Sequence, residues 1–179
     1  MEIENFETGT PINPNVKLIH LDPKNNIENK NYVRKLLKKI TESSKDTIKY
    51  NLNEAYHQDA ELKGFHPVNE IKGVTEIQNK LWTPLINAFP DLERRDNLIL
   101  GGSFQNKIFV STTGHLTGTF VNSLFGIPAS NKTIHIRICE VHQLKDNKII
   151  QSHVLIDLMD LIRQAGFWPI NSSLGIEEM

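Results

Sequence analysis

The second half of the chain is dominated by long segments in which apolar and polar residues alternate. Lys107–Thr119 place Thr and Ser between Ile, Val and Phe, and Thr133–Leu144 place polar residues between isoleucines. A period of two is typical of a β-strand that buries one face. Ile149–Ile156 predict a further strand, which pairs with the preceding one through a turn at Asp146-Asn147. With a strand around Leu98–Leu100, these segments predict an antiparallel meander.

The first half shows helical periodicity instead. Its apolar positions at helical spacing are Val33, Leu36, Leu37 and Ile40, and then Val74, Ile77, Leu81 and Leu85. They predict an amphipathic helix from Asn31 and a second helix, in which Pro84 either produces a kink or restarts the helix as its first residue. A strand is predicted between them at Ala60–His66, and a last helix at Leu158–Ala165 ends at Gly166. Because helices come first and antiparallel strands follow, the sequence predicts an α+β domain.

Composition narrows the classes of function. The 179 residues (20.4 kDa) suit one domain that buries a core without disulfides or metal. Lys and Arg number 20 and Asp and Glu number 21, so the net charge is −1, which excludes a strongly basic nucleic-acid-binding domain. Cys139 is the only cysteine, so an intrachain disulfide and a cysteine-rich zinc site are also excluded.

The distribution of apolar residues bears on location and domain organisation. No stretch approaches the roughly 20 apolar residues that span a bilayer, and the acidic, polar start Met1–Asn5 does not resemble a signal peptide. We therefore expect a cytoplasmic protein with neither a membrane nor nucleic acid as a partner. The predicted organisation is an irregular arm at residues 1–30, one domain at residues 31–170 and a tail at residues 171–179.

The turn at Asp146-Asn147 decides which side chains share a face in the last hairpin. A two-residue loop places Glu140 opposite His153, whereas a three-residue turn with Asn147 in the left-handed region adds a bulge and shifts the register by one residue. Glycine is absent from the turn and Asp tolerates positive φ less well than Asn, so the bulged form is favoured.

In the bulged register, one face of the hairpin mixes polar and apolar residues. Its members are Arg137, Cys139, Val141, Gln143, Gln151, His153, Leu155 and Asp157. Such a mixture is typical of a ligand pocket, although a face that meets water or a partner subunit has the same pattern. The opposite face carries the isoleucines together with Glu140 and His142.

Short motifs that occur in order along the chain resemble those of one family. They are Trp82-Thr83-Pro84-Leu85, Ala88-Phe89-Pro90-Asp91-Leu92, Gly114-His115-Leu116-Thr117-Gly118-Thr119-Phe120, Gly126-Ile127-Pro128-Ala129, Glu140-Val141-His142, Asp146-Asn147-Lys148-Ile149, and Asp157 leading into Arg163-Gln164-Ala165-Gly166. From about Tyr32 to Pro169, the series resembles the SnoaL-like polyketide cyclase family, within the nuclear transport factor 2-like superfamily. The chain departs from the family pattern at His153, where Trp is frequent, and at Asn147, where Gly is usual.

This resemblance implies a cone-shaped, curved antiparallel sheet with three main helices that enclose an apolar pocket, and a homodimer formed through the sheet. Characterised cyclases of the family close a ring by intramolecular aldol condensation without metal or cofactor, so neither is expected here. An aspartate near the end of the last strand is their acid/base, and Asp157 stands at that position. The superfamily also includes hydrolases, isomerases, dehydratases and non-catalytic binding proteins, so the fold alone does not name a reaction.

Three residues at the last hairpin are candidates for the reaction. Asp157 abstracts a proton next to a carbonyl if an apolar pocket makes it basic enough, or it caps the helix that follows it. His153 is a second acid/base or a polar residue of the cavity wall. Arg137 binds a carboxylate or an enolate oxygen, or it pairs with Glu140, Asp157 or an acidic residue of another subunit.

Four further residues are candidates for contact with a substrate. His66 lies at a strand end, where the mouths of pockets often lie. Trp82 and Tyr56 line an aromatic cavity or pack in the core. His115 contributes to the pocket or forms a hydrogen bond across the sheet.

No motif for metal, phosphate or nucleophile chemistry stands out. Glu140-x-His142 places two ligand types on one strand face and His115 is a third candidate ligand, but no HExxH or comparable spacing occurs, so no metal is expected. Gly101-Gly102 is not followed by the Lys-Ser/Thr of a phosphate loop. Cys139 lies among isoleucines, where an inert thiol is expected.

The sequence leaves two kinds of function open. The first is a cofactor-free enzyme that uses acid/base chemistry on a small hydrophobic carbonyl compound, by aldol cyclisation or isomerisation, with Asp157 as the base. The second is a non-catalytic protein that binds a small ligand or acts as a scaffold. Asp157 faces an enclosed cavity in the first and turns back onto the amides of residues 159 and 160 in the second. The basic side of the first helix forms a solvated face or meets an anionic partner.

Overall fold

The chain forms a mixed α+β fold, seen in a computed structural model that describes residues 23–167. In chain order its elements are α1 (Pro23–Thr41), α2 (Ile48–Ala55), β1 (Tyr56–Lys63), β2 (Glu70–Lys72), α3 (Val74–Ile77), a π-helical turn (Gln78–Trp82), α4 (Thr83–Ala88), β3 (Glu93–Phe104), β4 (Lys107–Thr119), β5 (Thr133–Lys145), β6 (Lys148–Ile156) and α5 (Leu158–Ala165). The predicted fold class is therefore confirmed.

Helix α1 begins earlier than the apolar pattern indicates. The four apolar positions that predict it are all buried, but the helix starts at Pro23 rather than Asn31. Proline fits the first helical turn, and the polar residues that follow it have no periodicity from which the earlier start could be recognised. The rest of the predicted arm, residues 1–22, and the predicted tail, residues 171–179, lie outside the described residues.

The second predicted helix is continuous from α3 to α4 through the π-helical turn. Pro84 lies in the first turn of α4, but the backbone is already helical at Trp82 and Thr83 and no side chain caps α4, so the predicted restart with Pro84 as first residue is wrong. The predicted strand at Ala60–His66 is shifted, because β1 runs directly out of α2 and begins at Tyr56. Three polar, exposed residues follow Tyr56 and hide the start of this strand from a pattern analysis.

The six strands form one curved, open sheet in the order β2-β1-β6-β5-β4-β3. All neighbours are antiparallel except β1 and β6, which run parallel. The long strands β3 to β6 follow each other as the predicted meander. The parallel pair joins β6 to β1, which are the last and the first strand of residues 23–167.

The β5–β6 hairpin has a two-residue loop and a separate bulge. Asp146 and Asn147 have φ of 49° and 56°, and Lys145 pairs with Lys148, which is a type I′ arrangement. The predicted three-residue turn is therefore wrong, because Asp accepts the left-handed region here. Ile150 then forms a bulge that shifts the register by one residue, so Val141 lies opposite His153 as in the favoured register.

The two faces of the sheet have different surroundings. On β5 the even-numbered residues from Ile134 to Leu144 are buried on the inner face, which packs with helices α1 to α4 in the core. The odd-numbered residues lie on the outer face and are exposed or half-buried. The face predicted to line a pocket or to meet water or a partner is this outer face.

Helix α1 packs closely against β3 and runs antiparallel to it. Gly101 permits the contact, because a Cβ atom there would overlap the side chain of Asn26. The last helix, α5, ends at Gly166 in the left-handed conformation with φ of 91°, as predicted. Within residues 23–167, no helix has the length and apolar character needed to cross a membrane.

Candidate functional site

Four of the predicted site residues lie on the outer face or at its end. His115 and Arg137 are direct neighbours on β4 and β5, and His153 lies opposite Val141 on β6. His153 is exposed, and His115 is half-buried with its Nδ1 atom 3.5 Å from Asn97 Nδ2. These positions favour a face that meets solvent or a partner subunit.

Both carboxylate oxygens of Asp157 are occupied. Oδ1 accepts a hydrogen bond from the backbone N–H of Asp160 at 2.9 Å, which makes Asp157 the N-cap of α5. Oδ2 lies 2.8 Å from Arg137 Nη2. The helix cap and the ion pair, each an alternative in the sequence analysis, are therefore both present. The acid/base role of Asp157 stays a prediction.

The other three predicted residues are divided between a loop and the interior. His66 is exposed in the loop between β1 and β2. Tyr56 is 1% exposed and Trp82 is 2% exposed, so both belong to the interior, where either a cavity wall or core packing was expected. The predicted residues as a set do not converge on one place.

A buried chain of polar side chains crosses the inner face, and we call it the inner-face network. It consists of Arg94 on β3, Thr112 on β4, Glu140 and His142 on β5, Ser152 on β6 and Tyr56 on β1. The register places Thr112 directly opposite Glu140 and His142 directly opposite Ser152. Five strands thus contribute side chains to one continuous polar strip in an otherwise apolar core.

Arg94 and Glu140 form a buried ion pair at one end of this network. Their side chains are 1% and 3% exposed, and Arg94 Nη2 donates to Glu140 Oε2. The same nitrogen donates to Thr112 Oγ1 at 2.7 Å, while Nε donates to Asp96 Oδ1 at 2.8 Å. Two carboxylates and a hydroxyl therefore compensate the desolvation of one guanidinium.

The ion pair keeps both partners charged at neutral pH. Burial by itself would raise the pKa of Glu140, but the charge of Arg94, the largest opposing effect, lowers this pKa to about 2. Burial opposes the charged form of Arg94, yet the carboxylates of Glu140 and Asp96 raise its pKa. Glu140 is therefore a poor proton acceptor itself, but it is a fixed negative charge beside His142.

His142 is fully buried in the middle of the network. Its Nδ1 lies 2.8 Å from Ser152 Oγ, and Ser152 Oγ donates to Tyr56 Oη at 3.2 Å. Because Ser152 uses its only proton towards Tyr56, the neutral imidazole donates through Nδ1–H and carries its lone pair on Nε2. Nε2 lies 3.8 Å from Glu140 Oε2 and has no hydrogen-bond partner among the described residues.

Two further buried nitrogens near the core lack partners. Arg94 Nη1 and Trp82 Nε1 are hydrogen-bond donors with no acceptor among residues 23–167. Buried polar atoms are usually paired, so unpaired ones in a polar strip are typical of a place where a ligand or water binds. Arg94 and His142 both lie next to the carboxylate of Glu140. The unpaired donor Arg94 Nη1 and the unpaired acceptor His142 Nε2 therefore belong to two neighbours of the same side chain.

The sequence contains one signal for the inner-face network, namely two polar residues on an apolar strand face. Glu140 and His142 interrupt a strand face that otherwise consists of isoleucine and leucine. From the sequence they are candidate metal ligands with His115, and Glu140 is also a candidate partner of Arg137. The structure places His115 on the outer face, and no three His, Cys, Asp or Glu side chains converge within residues 23–167. Arg94 was not singled out, because its strand shows no clear alternation around it.

An open cavity reaches Arg94 from the surface between α1 and β3. It has a volume of about 350 Å³ and is lined by Arg34, Lys35, Lys38, Arg94 and Asp96. The basic side of α1 thus faces the end of the inner-face network.

The comparisons with known proteins agree with this architecture. The model of the SnoaL-like polyketide cyclase family matches residues 46–165, about two thirds of the chain. The chain belongs to the SnoaL-like polyketide cyclase family. The resemblance found in the sequence motifs is thereby confirmed. No curated protein matches the sequence.

Solved structures with the same fold come from this family and related proteins. A candidate SnoaL-like polyketide cyclase from Jannaschia sp. CCS1 has a TM-score of 0.65 at 18% identity, and the match covers 83% of this chain and 97% of that one. AclR, a candidate hydroxylase from Streptomyces galilaeus, has a TM-score of 0.63 at 17% identity with coverages of 82% and 85%. IdmH, a candidate polyketide cyclase from Streptomyces antibioticus, has a TM-score of 0.60 at 15% identity with coverages of 74% and 97%. At these identities the likeness concerns the fold.

Proposed function

We propose that this SnoaL-like protein is a cofactor-free enzyme that uses acid/base chemistry on a small hydrophobic carbonyl compound, in an aldol cyclisation or an isomerisation. One observation carries the proposal. His142 is a fully buried imidazole whose Nε2 lacks a hydrogen-bond partner among the described residues and lies 3.8 Å from a carboxylate. An acceptor nitrogen in such surroundings suits the transfer of a proton from carbon.

His142 is the proposed general base. The hydrogen bond from Nδ1–H to Ser152 fixes the tautomer, so that Nε2 takes the proton from the carbon next to the carbonyl. The imidazolium that forms lies beside the charged carboxylate of Glu140, which stabilises it in a medium of low dielectric constant. Glu140 is a positioning and stabilising group, because its low pKa keeps it from taking the proton itself.

Arg94 is the proposed donor for the oxygen that becomes negative. Loss of the proton from carbon converts the carbonyl into an enolate, and Arg94 Nη1 is a cationic donor without a partner among the described residues. In a cyclisation the enolate carbon then attacks a second carbonyl of the same molecule, and the alkoxide takes the proton back from His142. In an isomerisation the proton returns to a different carbon. Neither route consumes an external reagent.

The family resemblance supports a different base, Asp157, and the two can be separated by experiment. The assay follows deuterium uptake by α-tetralone, 1-indanone and 2-acetonaphthone in heavy water by NMR, since exchange of the α-hydrogens requires only the proton transfer. His142→Asn keeps an amide donor near the position of Nδ1 but removes the base. Asp157→Asn is the matched variant, because Asn caps a helix as well as Asp does.

We expect His142→Asn to slow the exchange by a factor of about 100 or more, with Asp157→Asn within about twofold of the wild type. Circular dichroism and the Tm of each variant control for folding. The opposite pattern would identify Asp157 as the base and contradict the role of His142.

A non-catalytic ligand-binding or scaffold protein of the same fold is the second candidate. The helix-capping bond of Asp157 favours it, because this bond is the arrangement expected for a protein without a catalytic aspartate. If no ketone of the set exchanges faster with the protein than in buffer, this second candidate replaces the first.

A further inference from the structure

The space between α1 and β3 is a longer groove than the cavity at Arg94 alone. A second cavity of about 350 Å³ adjoins the first, and the two share Arg34 and Asp96 in their lining. The helix and the strand run antiparallel, and at Gly101 a Cβ atom would overlap the side chain of Asn26. We call this surface the α1–β3 groove, and it extends from Arg94 at one end to Leu98 and Ile99 at the other.

One end of the groove is cationic. Arg34 and Lys35 are exposed and have no acidic partner within residues 23–167, while Lys38 lies 3.7 Å from Glu42 in an exposed pair. The guanidinium of Arg94 also lines this end and is already paired with Asp96 and Glu140.

Asp96, the carboxylate in the lining of this end, is bonded to Arg94, so the charges of Arg34 and Lys35 are left in excess. The Nη1 atom of Arg94 has no partner among the described residues. This end of the groove therefore attracts an anion and offers planar guanidinium groups to bind it.

The other end of the groove contains apolar side chains among polar ones. It is lined by Ile27 of α1 and by Leu98 and Ile99 of β3, together with Lys30, Asn31 and Asn97. Ile27 is 54% exposed and Ile99, on the face of β3 towards α1, is half-buried, so both present hydrocarbon to a ligand. An apolar surface that continues into a cationic one is complementary to a molecule with a hydrophobic body and a negative group.

We propose that the α1–β3 groove binds a small amphiphilic carboxylate, with the carboxylate between Arg34 and Arg94 and the hydrophobic body against Ile27 and Ile99. The inference deepens the proposed function, because Arg94 joins the groove to the inner-face network and the carboxylate is then a group of the substrate or product. A planar carboxylate matches the fork of an arginine, which favours Arg34 over the neighbouring lysines as its main contact.

Binding of naphthalene-1-carboxylate and of the neutral naphthalene-1-carboxamide to the whole protein tests the proposal. Titrations are followed by calorimetry and by the shifts of backbone amide signals, including those of Leu98 and Ile99. The variants are Arg34→Gln and the matched control Lys24→Gln, which removes an exposed cation of the same helix outside the groove lining. Arg94 is left unchanged, because its loss would disturb the core.

We expect the carboxylate to bind at least tenfold more tightly than the amide at 50 mM salt, with the largest shifts at Leu98 and Ile99. Arg34→Gln should remove this preference, whereas Lys24→Gln should keep it within about twofold, and the preference should decrease in 500 mM salt.

Equal affinity for the two compounds, absence of binding, or equal effects of the two variants would overturn the proposal. Binding of a 20-nucleotide single-stranded DNA in the groove without any preference for the carboxylate over the amide would also overturn it, in favour of a polyanion-binding surface. Because the titrations involve no turnover, they succeed or fail independently of the deuterium exchange that tests the proposed function.

Discussion

At the scale of single residues, the buried carboxylate of Glu140 has the largest expected effect on stability. It is the main partner of a guanidinium that is 1% exposed, so its replacement leaves a buried charge with less compensation. We expect Glu140→Gln to lower the free energy of unfolding by about 3–5 kcal/mol. Urea denaturation measures this value, and Glu61→Gln, which affects only an exposed pair with Lys72, should change it by less than about 1 kcal/mol.

The same residue predicts how stability depends on pH. The pKa of Glu140 is about 2 in the folded protein, below the value of about 4.3 for a free glutamate, so its charge stabilises the fold above pH 4.3. This contribution is lost as the pH falls from about 5 towards 2. Denaturation at a series of pH values should therefore show the difference between wild type and Glu140→Gln decreasing over that interval. A difference that is constant down to pH 2 would contradict the lowered pKa.

For Asp157, the sequence alone cannot decide between the predicted roles. The sequence predicts both the cap and the family's acid/base role, and only coordinates reveal that the carboxylate turns to the amide of Asp160. We expect Asp157→Ala to lower the free energy of unfolding by about 1 kcal/mol, and Asp157→Asn to lower it by less than half as much, because Asn also caps. Thermal denaturation compares the two. Equal losses would assign the effect to the Arg137 ion pair instead of the cap.

At the scale of elements, the sequence predicts the long strands well and the turns less well. The alternation of Thr133–Leu144 locates β5 almost to the residue, because every second side chain is buried. The hairpin register depends instead on a bulge at Ile150, for which the sequence has no local signal. The network was missed for a similar reason. The register aligns Arg94 with Leu116 and Ile136, and its long side chain reaches Glu140 diagonally across β4, a contact for which the spacing along the chain gives no signal.

A second bulge, in β3, requires a glycine at position 114 of β4. The register shifts at Asn97, and the backbone of β3 approaches Gly114 so closely that a Cβ there would overlap the carbonyl oxygen of Arg95 and lie 2.9 Å from Cα of Asp96. We expect Gly114→Ala to lower the free energy of unfolding by about 1–3 kcal/mol, measured by urea denaturation. Gly102→Ala is the matched control, because a Cβ at that position meets no atom within 4 Å. Similar losses in both variants would show that strand flexibility, rather than the close approach, determines the effect.

At the scale of the whole molecule, the two faces of the sheet separate two kinds of chemistry. The inner face holds buried charges in a low-dielectric core, whereas the outer face holds charges that water can screen. The resemblance to cyclases implies Asp157 as the acid/base, and this residue lies at the end of the outer face. The structure adds the inner-face network, which ends at the α1–β3 groove. Any reaction at His142 and any contact at Asp157 are thus separate events on opposite sides of one sheet.

The outer face also bears on the expected homodimer, which the resemblance implies is formed through the sheet. Leu155 is 61% exposed on this face. We expect light scattering to give a mass about twice the 20.4 kDa of the chain, and Leu155→Asp to reduce it to that of a monomer, because a charge would be buried without a partner. Tyr50→Asp, at an exposed residue of α2, should leave the mass unchanged. A wild-type mass of one chain would mean that Arg137, His153 and Asp157 face solvent, and the outer face would then need no partner to explain its polar residues.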